Sequence, residues 1–179
     1  TVLHTDGRLL PKLARARAEL GSALLAANRL DEARTELTRA LDLSPDDPAV
    51  LAKLALISEK KRQWNEAAYY YRRALSVAPE APDLLNQLAV VLAGGQAYGE
   101  AAGVLEKLET LLPGSATVSF NLACLYARQN QTDNALGQLE KAMEKGYHDI
   151  EALRTDPDLE SIRDTPRFQQ MMNHLKDTP

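Results

Sequence analysis

The feature that most constrains this chain is a pattern that returns every 34 residues. The stretch ALDLSPDDPAVL, residues 40–51, returns in similar form as ALSVAPEAPDLL, residues 74–85, with prolines at the same two points. Three columns of residues keep this step along the chain: Pro45, Pro79 and Pro113; Ala33, Ala67, Ala101 and Ala135; and Leu20, Leu54, Leu88 and Leu122. A fixed period of this length predicts an array of repeated structural units.

The repeat units fall at residues 14–47, 48–81, 82–115 and 116–149. Apolar residues follow the helical period twice in each unit, as in the second, where Leu54 and Ile57 mark a first helix and Ala67 and Ala74 a second. Proline then ends the second helix, because it cannot continue a helix and restricts the residue before it. Each unit is therefore predicted to be a helical hairpin.

Two local features refine this prediction. Asp31 and Asn65 lie near the starts of second helices, where a side-chain oxygen can accept hydrogen bonds from unpaired backbone N–H groups. Gly94 and Gly95 lie near the end of the first helix of the third unit, and glycine costs about 1 kcal/mol relative to alanine in a helix. We therefore expect capping at the first two residues and a shortened, looser helix at the glycines.

A helical hairpin of 34 residues with these landmarks resembles the tetratricopeptide repeat (TPR) family. The landmarks are leucine followed by glycine or alanine in the first helix, alanine twice in the second, and a closing proline. They cover residues 14–149, although Leu108 stands where alanine is usual and Gly146-Tyr147 replaces the last proline. The resemblance implies an all-α, right-handed superhelical solenoid and a non-catalytic role in protein–protein interaction, as a scaffold or adaptor.

The two ends of the chain depart from the repeat. Residues 1–13 are interpreted as an N-terminal extension or the remnant of a preceding repeat, since Pro11 lies on the proline column. Residues 150–179 resemble the segment that follows the last repeat in many bacterial TPR proteins. Their apolar residues are Ile150, Leu153, Leu159, Ile162, Phe168, Met171 and Leu175. We expect this segment to form a helical cap, because terminal repeats need cover for their apolar face.

Composition narrows the choice of partner and compartment. A net charge of −4 and a pI near 5.4 argue against a nucleic-acid partner, which needs a concentrated positive field. No apolar run approaches the roughly 18 residues of a membrane span, so membrane insertion is not expected. A single cysteine fits a reducing compartment, and we expect a cytoplasmic location. A periplasmic location is the alternative if a signal segment preceded Thr1.

The sequence predicts no metal, cofactor or catalytic site. His4, His148 and His174 are scattered, whereas a metal site needs three or four converging ligands. Motifs for phosphate loops and nucleophile elbows are absent from the sequence. Cys124 has no basic neighbour in sequence to lower its pKa, so a partly buried, unreactive thiol is favoured over a nucleophile. The chain is therefore predicted not to be an enzyme.

TPR proteins generally bind an extended peptide or a helix of a partner protein on the concave wall formed by their first helices. Mapped onto this chain, that resemblance implies the partner-binding residues Arg15, Glu19, Ser22, Lys53, Leu56, Asp83, Asn86, Gln87, Val90, Phe120, Asn121 and Cys124. Glu19, Lys53, Gln87 and Asn121 occupy one repeat position and form a polar ladder that could hold a peptide backbone. The alternative is that these side chains only solvate an open surface.

One TPR subgroup clamps the C-terminal carboxylate of chaperones with lysines, asparagines and an arginine. This chain departs from that pattern, because Ala18 and Ser22 replace its first lysine and asparagine and Lys53 replaces the next asparagine. Asp83 would also repel a carboxylate. A chaperone-tail receptor is therefore not expected.

Other interpretations of the sequence stay open. The basic residues 60–62, Arg72 and Arg73 either match charges between repeats or form a docking patch for an acidic partner. The whole chain could instead be the accessory region of a larger bacterial enzyme, such as a glycosyltransferase or protease, in which repeats present substrate. Weak self-association through the open N-terminal face is a further alternative.

Overall fold

The computed structural model describes residues 9–177, and the side chains up to residue 175. All regular structure in this range is helical, with no strand. The chain divides into two compact units, Thr1–Gly95 and Gln96–Pro179. The fold class is that of an all-α helical solenoid built from consecutive packed helix pairs.

Unit 1 contains five helices. They are α1 (Leu9–Ala26), α2 (Leu30–Leu43), α3 (Pro48–Lys60), α4 (Trp64–Val77) and α5 (Pro82–Gly94). Helices α1 and α2 pack as one hairpin and α3 and α4 as the next, while α2 contacts α3 and α4 contacts α5. Helix α1 begins before residue 14, so Pro11 lies in its first turn, where its missing N–H leaves no hydrogen bond unmade.

The helices start and stop for local reasons. Asp47 caps α3, where its Oδ1 accepts hydrogen bonds from the backbone N–H groups of Ala49 (2.9 Å) and Val50 (3.2 Å), and Pro48 occupies the first helical position. The second helices begin without a side-chain cap, at Arg29 and Gln63 in unit 1. The capping predicted for Asp31 and Asn65 is therefore wrong, since both residues lie inside their helices.

The turn between the first and second helix of a repeat is marked by its backbone conformation and not by a capping side chain. Its residue in the left-handed backbone region recurs at the repeat step: Asn28, Arg62, Gln96 and Asn130, with φ between 56° and 63°. In the first turn, the N–H groups of Asn28 and Arg29 donate to the carbonyl oxygens of Leu25 and Leu24. These bonds use carbonyls at the end of the helix that would otherwise be unpaired, so the turn itself closes the first helix.

The interior of unit 1 is formed by small and branched residues at repeat positions. A core cluster joins α2 to α3, with Ala33, Leu37, Ala40, Val50, Leu54 and Ile57. The leucine column behaves unequally, because Leu54 and Leu88 are 1% and 4% exposed whereas Leu20 is 50% exposed. Position in the repeat therefore sets which side a leucine faces, and the neighbouring hairpin decides whether it is covered.

Gly94 and Gly95 do not shorten α5, so that prediction is wrong. The helix has 13 residues, as does α3. A Cβ atom on Gly94 would lie 2.9 Å from Cζ3 of Trp64, which is closer than packed carbon atoms approach. Glycine is needed here because the indole of Trp64 lies against the end of α5.

Unit 2 contains the remaining helices. They are α6 (Tyr98–Leu111), α7 (Ala116–Arg128), α8 (Thr132–Glu144), α9 (Ile150–Thr155), a 3-10 turn (Pro157–Leu159), α10 (Glu160–Arg163) and α11 (Pro166–Asp177). Helices α7 and α8 form a hairpin, and α6 packs against α7. The segment after α8 buries its apolar residues in the core of this hairpin: Leu153, Leu159, Ile162, Phe168, Met172 and Leu175. Residues 150–175 thus cover the apolar face of the last hairpin.

Candidate partner-binding surface

The predicted binding residues of unit 1 lie on the first helices α1, α3 and α5. On α1, Arg15 and Glu19 are exposed and form an ion pair with each other at 2.8 Å. Ser22 is half-buried, and its hydroxyl donates to the carbonyl oxygen of Ala18 at 2.5 Å. These three predicted residues of α1 are therefore engaged within the helix itself.

The side chains on α3 and α5 differ in this respect. Lys53 and Asn86 are half-buried, and Asp83 and Gln87 are exposed. Within the described part of the chain, none of these four polar side chains has a hydrogen-bonding or ionic partner. Two apolar side chains accompany them, half-buried Leu56 on α3 and exposed Val90 on α5. We call these six residues the α3/α5 wall.

Two of the predicted residues in unit 2 belong to the core instead. Phe120 is buried, and its ring stacks on that of Tyr147 with centroids 4.3 Å apart. Cys124 is buried in the same cluster, and burial raises the pKa of its thiol far above the ordinary value. Contrary to the sequence prediction, Phe120 and Cys124 lie in the core and not on an open surface, because the segment from Tyr147 onward covers the side of α7 that they occupy. Asn121 remains half-buried and partly accessible.

Three of the five basic residues around α4 have internal contacts: Lys61, Arg72 and Arg73. Lys61 forms an ion pair with Asp31 of the preceding hairpin. The guanidinium of Arg73 donates to the carbonyl oxygen of Pro45 at 2.9 Å and lies 5.8 Å from the ring centroid of Tyr69. These contacts favour charge matching between hairpins over a docking patch for an acidic partner.

A second set of charges is held between hairpins of unit 1. Arg34 on α2 pairs with Glu66 on α4 at 2.7 Å, and fully buried Ser58 donates to the same carboxylate at 2.9 Å. The hydrogen bond from Arg34 outweighs the effect of burial and holds the pKa of Glu66 below its ordinary value. A charge fixed in this way orders the stack and is not available to a ligand.

Unit 2 contains a comparable polar cluster. The Nζ of Lys145 lies 2.9 Å from Oε1 of Glu109 and 2.7 Å from the hydroxyl of fully buried Ser119. Burial raises the pKa of Glu109, but Lys145 and Ser119 more than offset this and leave it below the ordinary value. The cluster ties α6 to α7 and to the end of α8.

Residues 9–175 contain no group of three or more histidine, cysteine, aspartate or glutamate side chains placed to hold a metal ion. Among the helices described, none is both long and apolar enough to cross a membrane.

Several solved structures superpose on this fold. YrrB, described as a TPR protein with an unusual peptide-binding site, superposes with a TM-score of 0.73 at 19% identity, over 90% of this chain and 84% of its own. MamA from Desulfovibrio magneticus RS-1 gives 0.73 at 16% identity, over 91% and 94%. PilF from Pseudomonas aeruginosa gives 0.67 at 22% identity, over 93% and 76%. At sequence identities this low, the superpositions establish a shared fold and nothing more.

Family models supply the sequence relationship. Two models, each described as a tetratricopeptide repeat, match residues 14–57 and 51–116. The fourth unit, residues 116–149, lies almost entirely beyond these matches. A comparison with functionally curated proteins gives no significant match. The two models together cover more than half of the sequence, and the chain therefore belongs to the tetratricopeptide repeat family, whose members are generally protein-interaction modules.

Proposed function

We propose that this chain is a non-catalytic module that binds an extended peptide of a partner protein along the α3/α5 wall. The observation that carries the proposal is the contrast between two sets of polar side chains. Arg34, Lys61 and Glu66 are engaged in ion pairs between hairpins. Lys53, Asn86 and Gln87 have no internal partner in the described part of the chain, although they lie on ordered helices.

The chemistry of the wall suits a peptide backbone. The amides of Asn86 and Gln87 can each donate and accept hydrogen bonds, which matches the alternating N–H and C=O groups of an extended chain. Leu56 and Val90 lie on the same two helices and provide apolar contact for side chains of the peptide. Opposite charges at Lys53 and Asp83 favour a ligand without a strong net charge, and Asp83 disfavours a bare carboxylate terminus.

A further observation supports a peptide as the ligand. The structurally similar YrrB is described as having an unusual peptide-binding site, so a peptide is a ligand that this fold can hold. In unit 2, Asn121 occupies the repeat position of Lys53 and Gln87 and is partly accessible, but it lies outside the α3/α5 wall and is not included in the proposed site. Phe120 and Cys124 are left out of the proposed site because they are buried.

A random peptide library displayed on phage provides a test that needs no known partner. The library is panned on the full chain, and enriched peptides are titrated against a wall variant in which Lys53, Asn86 and Gln87 are changed to alanine. Each lost hydrogen bond contributes roughly 0.5–1.5 kcal/mol, so affinity should fall about ten- to a thousandfold. Circular dichroism should show an unchanged helix content, since the three side chains have no internal partner.

The matched control changes Asn65 and Glu80 to alanine, which removes exposed polar side chains of unit 1 from outside the wall. This control should bind the enriched peptides as tightly as the parent chain. Equal binding by the wall variant, or a loss confined to the control, would mean that peptides bind another surface.

A further inference from the structure

Helix α1 carries a row of leucines that lie open in the structure. Leu9, Leu10, Leu13 and Leu20 are between 41 and 58% exposed. Leu9, Leu13, Ala16, Leu20 and Leu24 follow one another at steps of four, three, four and four residues, which places them in one stripe along the helix. We call these five residues the α1 stripe. The neighbouring side of α1, with Ala14 and Gly21, is buried, and α1 packs against α2.

The later hairpins show what this position requires. Leu54 stands one repeat after Leu20, and it is buried in the cluster that contains Leu37 and Ala40 of α2. Leu88 and Leu122 occupy the same position in the next two repeats and are also buried. The helices that carry them contact the preceding second helix, whereas Leu9, Leu13 and Leu20 of the α1 stripe stay exposed and only Leu24, at its end, packs against the core cluster. The stripe is therefore shaped to receive a helix.

We propose that this helix is α1 of a second copy of the chain, packed antiparallel about a twofold axis. In that register Leu20 of one copy meets Leu9 of the other, and Leu13 meets Ala16, so every contact occurs twice. A twofold interface must be complementary to itself, and this stripe meets that condition because the axis passes between Leu13 and Ala16, so that the large side chain of each copy faces the small one of the other. Leu9 to Leu20 spans about 16 Å, or three turns of helix.

The charges beside the stripe agree with the same register. Lys12 and Glu19 lie on one flank of the stripe, seven residues apart, in the positions that form pairs across an antiparallel helix pair. Lys12 of each copy then meets Glu19 of the other, giving two attractive pairs. Glu19 is 65% exposed and its only internal partner in the described chain is Arg15 on its own helix, so it can reach a second copy.

The other flank of the stripe is closed by polar residues of α2. Leu20 and Leu24 line a shallow groove of about 380 Å³ whose far side is formed by Glu32, Thr35 and Glu36. Glu32 pairs with Arg29, and Glu36 pairs with Arg17 and Arg39. These carboxylates are already neutralised within unit 1, so they do not repel a second copy that approaches the leucines.

Sedimentation equilibrium of the purified chain, over a roughly thousandfold range of concentration, tests the proposal. The parent chain should pass from monomer to dimer as its concentration rises. Changing Leu13 and Leu20 to aspartate should leave a monomer throughout, because four charges would enter the interface of each dimer. Changing Leu112 to aspartate is the matched control, since this leucine is also exposed and lies in unit 2; its dimerisation should equal that of the parent.

Charge reversal tests whether the partner is a second copy in this register. Lys12→Glu alone and Glu19→Lys alone should each weaken the dimer by roughly tenfold, since each change turns two attractive pairs into repulsive ones. An equal mixture of the two variants should recover parental affinity, because the mixed dimer restores both attractive pairs.

Several results would overturn the proposal. A parent chain that stays monomeric at every concentration excludes the dimer, and a dimer that survives the two aspartates excludes the stripe. If the mixture of charge variants associates no better than either variant alone, the antiparallel register is wrong. The peptide-binding test uses residues of α3 and α5, so failure of one proposal leaves the other standing.

Discussion

Replacing each leucine of the repeat column by alanine would test how the hairpins cover one another. Leu54, Leu88 and Leu122 are at most 4% exposed. Removing a buried leucine side chain forfeits its transfer free energy and leaves a cavity, so each variant should lose about 2–5 kcal/mol. Leu20 is 50% exposed, which halves the transfer contribution and leaves no closed cavity. Leu20→Ala should therefore cost about 1 kcal/mol or less.

The assay is chemical denaturation of the four variants and the parent, followed by circular dichroism at low protein concentration, where self-association does not contribute. A repeat array need not unfold in one step, so the curves are fitted with a term for each unit and interface. The expected order is a small loss for Leu20→Ala and large losses for the other three. A loss at Leu20 equal to that at Leu54 would refute the reasoning, because it would show that α1 is covered as α3 is.

Two further predictions concern glycine packing and acid stability. Gly94→Ala should destabilise the chain, because the new Cβ would lie 2.9 Å from the Trp64 ring. Gly103→Ala in α6 has no atom within 4 Å of the new Cβ and should stabilise the chain by about 0.5–1 kcal/mol. Thermal melting separates these outcomes, and equal shifts in melting temperature would contradict the packing at Trp64. The pKa of Glu66 is lower in the folded chain than its ordinary value of 4.5. The ion pair with Arg34 therefore stabilises the fold at pH values above 4.5, and this stabilisation is lost as the pH falls through the folded-state pKa. Glu66→Gln should therefore be less stable at neutral pH but lose less stability on acidification, and parallel melting-temperature profiles for variant and parent would exclude this role.

The helical hairpins could be predicted from sequence because the same residue types recur in every repeat, so each unit gives independent evidence for the same hairpin. Each column combines a residue type with a fixed spacing, and Ala33, Ala67, Ala101 and Ala135 are all completely buried in the structure. A small residue at a helix crossing is a packing requirement that any sequence of this fold must meet. Errors in single units were therefore averaged out by the repetition.

The local errors came from features that depend on tertiary contacts or on the turn. Aspartate is a residue type that often caps helices, which is why the sequence predicts capping by Asp31. In the structure, Asn28 closes the turn in the left-handed backbone region, and Asp31 forms an ion pair with Lys61 instead. Phe120 and Cys124 share a repeat face with open positions of earlier units. Only the packing of the segment after α8, including Tyr147, removes them from solvent.

Repeat spacing also distinguishes the charged residues that form ion pairs between hairpins from those that have no such partner. Residues about one period apart are neighbours in a stack, and the inter-hairpin pairs have separations of this size: 32 for Arg34–Glu66, 30 for Asp31–Lys61 and 36 for Glu109–Lys145. A charge with an opposite charge one period away on a second helix is therefore expected to hold hairpins together. Asp83 has Ala49 and Thr117 one period away, and Lys53 has Gln87 one period onward. Glu19, one period before Lys53, pairs with Arg15 on its own helix, so neither charge is held between hairpins. Charges of this kind, on the first helices, are the ones that the proposed peptide would contact.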